Sequence, residues 1–238
     1  MRNVVASDFS LAACQAAIFT PDGDASAKRF SLEFPKRWQT VFDGSPVILP
    51  PLQAPVEVPR TILQSTTGWH CEMAPARFNL HWRQLSDAPS TPLASFLNTA
   101  MPLMVEYISE MKARVGRIAL IITRYTKHDS PGRFLATHFC RDRWLTAPFN
   151  RPEDFELHAH KKYPITSKLV VNSWVRNKTA FMTSAAGNVP VIVVEQDLNT
   201  LTEEIDTRDF SEVEIREFCN TASGEFDQIL SLYYPENT

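Results

Sequence analysis

Glycine is scarce in this chain: seven residues in 238, none of them clustered. A backbone cradle for phosphate needs glycines close together, and neither GxxxxGK[ST] nor GxGxxG occurs. GxSxG and HExxH are missing too, which removes the commonest signatures of serine hydrolases and zinc proteases. The four cysteines, Cys14, Cys71, Cys140 and Cys219, lie far apart with no CxxC pair, so they read as separate reduced thiols. Long apolar runs are also lacking. The longest strand-like one, Ile118–Ile122, falls far short of the roughly 20 residues that cross a bilayer. The first residues lack a strongly basic start. These absences predict a soluble, cytoplasmic protein without a membrane partner, and no cofactor is implied.

Seventeen prolines stand against those few glycines, so turns rest on proline's fixed φ. Six prolines fall between Pro35 and Pro59, which predicts an extended connection or sheet edge. Net charge is −3, but it is unevenly spread. Residues 124–178 carry eleven Lys/Arg against five Asp/Glu, and residues 195–238 carry two against twelve. The plain reading is two solvated or mutually facing regions.

The stretch VGRIALIITRY, Val115–Tyr125, is the most strand-like in the chain. Before it, Phe96, Ala100, Leu103, Met104, Tyr107, Ile108 and Met111 recur at helical spacing, and Gly116 is placed to end that helix. Cys14–Thr20 and Arg29–Phe34 read as strands. Trp69–Met73 and Arg77–Leu85 read as a hairpin, with Phe78, Leu80 and Trp82 on one face and Asn79 and His81 on the other. Phe134–Cys140, Phe155–Lys161, Leu169–Phe181 and Val189–Leu198 also read as strands, the last two joined through Ala185–Asn188. Ser211 and Glu214 form a capping box for a closing helix, within which Gly224 calls for packing to hold it. The sum is an α+β protein, mostly antiparallel sheet packed against two principal helices at about 92–114 and 211–233. It forms one unit, or alternatively two packed halves, 1–125 and 126–238.

From Trp69 onward the chain resembles a sporadically distributed family of uncharacterised bacterial proteins of about this length. The resemblance rests on the hairpin Trp69–Leu85, the long helix feeding GRIALIITRY, and a closing helix with Phe218, Phe226 and Leu230. It implies a fold and no catalytic residue. Its sporadic occurrence suggests a link to genome defence.

Four chemistries can be weighed on residues alone. His138 and Cys140, and His158 and His160, each stand two apart on expected strands, so four ligands for zinc would converge if those strands were neighbours. Glu195 and Asp197 share a strand face, as a general acid–base pair would. Cys140 has His138, Arg141 and Arg143 nearby, the setting of an activated thiol. Arg141, Arg143, Arg151, Lys161, Lys162, Arg176 and Lys178 are interleaved with aromatics, the pattern of a single-strand nucleic-acid groove. With no diagnostic motif, the leading expectation is a non-enzymatic interaction protein with protein partners, an accessory or subunit of a larger bacterial assembly. A nucleic-acid-binding module and a metal-dependent hydrolase are the alternatives.

Overall fold

The computed structural model describes residues 3–22, 33–49, 55–85, 91–147, 150, 152–184 and 187–236. The apolar run Ile118–Ile122 lies within β6 (Arg117–Lys127), which stands at the middle of one nine-stranded sheet. The other strands are β1 (Ser10–Phe19), β2 (Val47–Ile48), β3 (Thr61–Gln64), β4 (Trp69–Ala74), β5 (Arg77–Arg83), β7 (Glu156–Pro164), β8 (Val170–Ser184) and β9 (Gly187–Thr200). Their order is β2-β3-β4-β5-β1-β6-β9-β8-β7, and every neighbouring pair is antiparallel.

Four α-helices accompany the sheet among the described residues, not the two expected: α1 (Phe34–Arg37), α2 (Leu93–Met111), α3 (Pro131–Phe139) and α4 (Glu212–Tyr233). The class is α+β. Side chains on a strand alternate between faces, and most of the large apolar ones fall on the side where the helices lie. Ile18 of β1, Phe78 and Leu80 of β5, and Ile118, Leu120 and Ile122 of β6 bury there against Phe96, Met104 and Tyr107 of α2 and Ile215, Phe218 and Phe226 of α4. A second cluster sets Phe134 and Leu135 of α3 against Val175, Ile192, Val194 and Tyr234.

Arg124 ties α4 to the sheet from beneath. It is buried on the covered face and donates to Gln196 Oε1 (2.9 Å), to the Phe226 carbonyl (3.3 Å) and to the carboxylate of Asp227. The Ser211 box starts the same helix: the Ser211 N–H donates to Glu214 Oε2 at 2.9 Å, and Ser211 Oγ accepts from the Glu214 N–H at 3.4 Å.

Several local expectations change. Phe134–Cys140 is not a strand. Ser130-Pro131 starts a helix there, with proline at its first turn, and burial of Phe134 and Leu135 then follows a helical face. Gly116 does not end α2, which stops at Met111 with Lys112 in the left-handed region (φ 50°). Gly116 instead permits a close crossing, since a Cβ there would sit 2.1 Å from the Ile205 carbonyl oxygen. Gly224 is not held by packing; nothing lies within 4 Å of a Cβ built on it. Of the expected strand Arg29–Phe34, residues 29–32 lie outside the described residues and Phe34 opens α1. Ala185 and Ala186 also lie outside them, while β8 and β9 pair up to Ser184 and Gly187.

The topology repeats. A strand (β1 or β6), a short helix (α1 or α3), a meander ending beside the first strand (β5 or β9) and a long helix (α2 or α4) occur twice. The repeats meet where β1 pairs with β6. A pseudo-twofold axis there relates β5 to β9, β4 to β8 and β3 to β7. By this topology β6 opens the second repeat. The register carries the relation to individual residues: Ala17 pairs with Ala119 at the axis, Asn79 lies beyond Ala17, and Asn199 lies beyond Ala119.

Candidate functional site

Among the described residues, no helix covers the second face of the sheet, so its character is set by the alternate residues of each strand. Cross-strand neighbours form continuous rows. One runs Gln64, His70, His81, Gln15, Ile121, Asp197, Trp174, His160 from β3 to β7. A second runs Glu72, Asn79, Ala17, Ala119, Asn199, Asn172, Lys162. A third runs Arg83, Ala13, Thr123, Glu195, Arg176, His158. Residues at the centre are small or medium, and the flanks carry long charged and aromatic ones. A sheet built that way has a trough along its middle strands.

The flanking side chains hold one another. On the first-repeat side, Glu72 Oε1 lies 3.2 Å from His70 Nε2, and its other oxygen accepts from Asn79 Nδ2 at 3.2 Å. Burial works against the Glu72 charge, but these bonds, with His81 and His70 nearby, hold its carboxyl below the usual range. His81 packs 5.6 Å from the His70 ring, and burial pushes its pKa down. Among the described residues its buried Nε2 has no hydrogen-bond partner; it lies 3.9 Å from Glu72.

On the second-repeat side, Asn199 Oδ1 accepts from Arg117 (2.8 Å) and Asn172 (3.3 Å), and its amide donates to Asp197 (2.8 Å). Asn172 Oδ1 lies 3.2 Å from His160 Nε2, and the His160 ring stacks on Trp174 at 4.1 Å. Arg176 pairs with Glu195 and lies over Trp174. Burial raises the Asp197 carboxyl above its ordinary value.

The trough opens into a groove of about 810 Å³. Its floor is Ala13, Gln15, Ile121 and Thr123; the turn from Gln64 to Gly68 walls one end and Glu195 closes the other. Gly68 shapes that wall: its φ is +91°, and a Cβ would fall 2.3 Å from the Arg83 carbonyl oxygen. Glu72 and Glu195 stand on strands four steps apart, about 19 Å at the usual strand spacing. The two ends of the groove therefore cannot act together on one small bond. They can hold two parts of a larger surface.

The expected zinc set does not assemble. His138 lies on α3 on the covered face, where its ring stacks on Tyr234 (5.2 Å) and Nε2 lies 2.7 Å from the Tyr233 carbonyl oxygen. Cys140 caps the end of that helix. His158 and His160 point to the opposite face from β7. Because 131–139 is a helix and not a strand, His138 cannot join the β7 histidines. Among the described residues no group of three or more His, Cys, Asp and Glu could hold a metal ion. Glu195 and Asp197 do share the open face, but only Glu195 lines the groove. Burial drives the thiols of Cys14 and Cys219 up to about 12 and that of Cys71 well above its ordinary value, so none of the three is a thiolate near neutrality.

The basic residues are divided. Lys162, Arg176 and Lys178 lie on the open face, with Lys162 bonded to Glu203 and Arg176 to Glu195. Lys161 points to the covered side over Tyr163, Arg141 and Arg143 lie on the exposed loop after α3, and Arg151 lies outside the described residues. Missed in the sequence were His70, Glu72, Gln15 and Thr123. The sole local sign of this side of the sheet was the alternation that set Asn79 and His81 off the apolar face of β5. No helix among the described residues is long and apolar enough to cross a membrane.

No family model matches the chain, and no curated protein matches it. Among solved structures it is similar to the di-domain ARO/CYC BexL from the BE-7585A biosynthetic pathway, at 11% identity over 95% of this chain and 99% of that one. The TM-score is 0.20, and at that level the likeness carries no argument.

Proposed function

We propose that this chain is a non-enzymatic interaction protein, an accessory or subunit of a larger assembly, that seats a partner in the trough on the open face of its sheet. The observation behind this reading is the three polar rows themselves. They span the sheet around a floor of small side chains. The side chains at the rim are already fixed by bonds to one another, so a partner would meet an ordered surface and less freedom would be lost on docking. The groove is also long for a small reactant and suits an extended or flat protein surface.

The test is co-purification of the tagged chain from its native cells, beside a Thr123→Arg variant that fills the trough without touching the covered core. The wild-type chain should elute with a partner in fixed stoichiometry. The variant, with an unchanged thermal transition, should elute without it. A solitary wild-type chain, or a complex that the variant keeps, would overturn the reading.

A further inference from the structure

The pseudo-twofold relation leaves one edge of the sheet bare. In the first repeat β2 pairs along the outer edge of β3, at Val47↔Ile62 and Ile48↔Thr61. The counterpart of β3 is β7, nine residues long, and among the described residues no strand pairs its outer edge. None of its residues is buried. The described residues just before β7 turn away from that edge: Asp154 accepts from Thr179 of β8 at 3.0 Å, and the Pro152 and Glu153 carbonyls crowd Gly132 of α3. The Thr179 N–H donates to the Phe155 carbonyl at 3.2 Å and the Ile165 N–H to the Leu169 carbonyl at 2.9 Å. The odd residues of β7 therefore turn their backbone groups toward β8. The even ones, Glu156, His158, His160 and Lys162, turn theirs outward, a template for one more strand.

The order of side chains along β7 is complementary to itself about Ala159. Glu156 and Lys162 stand three residues to either side of it, His158 and His160 one residue to either side, and Phe155 and Tyr163 four. The open face of the strand carries no surplus charge to draw a foreign segment, since Lys162 is paired with Glu203 and His158 with Glu156. Both bonds join exposed groups, are worth little, and can be shared with a second partner. On the covered side, a groove of about 450 Å³ runs between β7 and α4, with Ala159 and Tyr163 on one wall and Ile229 and Leu232 on the other. Leu232 is 80% exposed there.

We propose that the outer edge of β7 pairs with β7 of a second copy of this chain, antiparallel about a two-fold axis through Ala159. That register sets Glu156 of each copy opposite Lys162 of the other on the open face. It sets Phe155 opposite Tyr163 on the covered face, so an opposite-charge pair and an aromatic pair each occur twice. The axis passes through a residue that lines the groove, so the two grooves meet there and Leu232 of each copy faces a shared apolar space. Moving the axis one residue to His160 sets Lys162 opposite His158 and Glu156 opposite Pro164, and both favourable pairs are lost. The proposal goes beyond the trough, uses a different surface and stands without it.

The full chain, sedimented across a concentration series, should pass from monomer to dimer, with amide exchange slowed at 156–162 in the dimer. Lys162→Glu alone and Glu156→Lys alone each set like charges opposite one another twice and should weaken the dimer about tenfold. An equimolar mixture of the two variants brings the opposite charges back together. It should associate more tightly than either variant with itself, which two folding defects could not produce. In a Cys140→Ser background, where the remaining native cysteines are buried, Ala159→Cys should oxidise to a covalent dimer, because the axis pair brings its Cα atoms within disulfide range. Leu157→Cys, which meets Lys161, should not. Thr123→Arg should leave the dimer unchanged, so this result and the trough's can fail separately. A chain that stays monomeric at every concentration, a dimer that both charge variants leave unchanged, a mixture no tighter than its components, or a crosslink through Leu157→Cys in place of Ala159→Cys would overturn the proposal.

Discussion

Ala17 and Ala119 stand side by side at the centre of the open face, paired across the β1–β6 ladder, each with a buried asparagine on its outer side. Asn79 and Asn199 occupy equivalent places but do different work. Among the described residues, Asn199 makes bonds with Arg117, Asn172 and Asp197, whereas Asn79 donates to Glu72 and its Oδ1 has no partner. Asn199→Ala should therefore cost about 2–3 kcal/mol of stability and Asn79→Ala about 1 kcal/mol. Urea denaturation of the two variants reads the difference directly, and equal losses would contradict the assignment of the bonds.

Arg124 and Asp227 offer a second contrast. The Arg124 side chain is 10% exposed and that of Asp227 is 72% exposed. Arg124→Ala removes bonds to Gln196 and the Phe226 carbonyl that water cannot easily replace, and should cost about 2–3 kcal/mol. Asp227→Ala removes an exposed carboxylate and should cost below about 1 kcal/mol. Thermal or chemical unfolding checks both.

Asp197 makes stability depend on pH. Burial lifts its folded pKa above the 3.8 of an exposed aspartate, so the native state holds the proton more tightly than the unfolded chain. The stability this contributes is complete below 3.8 and is lost as pH rises through the lifted value. Asp197→Asn keeps an oxygen for the Asn199 amide and carries no charge. It should raise the melting temperature at pH 7, and the gain should fade as pH falls toward 3.8. A gain that grew on acidification would refute this sign.

Two glycines should respond oppositely to alanine. Gly224 is exposed inside α4 with open space around it, so Gly224→Ala should stabilise the chain by about 1 kcal/mol. Gly116→Ala drives a Cβ into the Ile205 carbonyl and should cost about 2 kcal/mol or more. Paired melting curves are enough to decide.

Much of the framework was legible because its signals are local. The hairpin of β4 and β5 showed in the alternation of Phe78, Leu80 and Trp82, β6 in its β-branched run, and α4 in Ser211 and Glu214. Helix α3 was lost because Phe134, Ala136 and His138 fit a period of two, while Ser130-Pro131 marked a helix start. The trough was illegible for another reason. Gln15, Thr123 and His81 come together only through the long-range register of β1 with β5 and β6, and nothing near any of them in the chain states that register. The repeat was hidden likewise: it lives in topology, and the two Ala–Asn pairs at the axis are too sparse to read as sequence similarity. The sequence marks Glu195, Arg176 and His160 as parts of an acid–base pair, a basic patch and a metal site, not of one face.

A partner docked in the trough would lie against Gln15. The decisive experiment in native cells compares a photo-crosslinking residue placed at Gln15, on the trough floor, with one at Val213, 73% exposed on α4. Docking in the trough gives one discrete adduct from Gln15 and none of that species from Val213. The same adduct from both positions, or from Val213 alone, would contradict it.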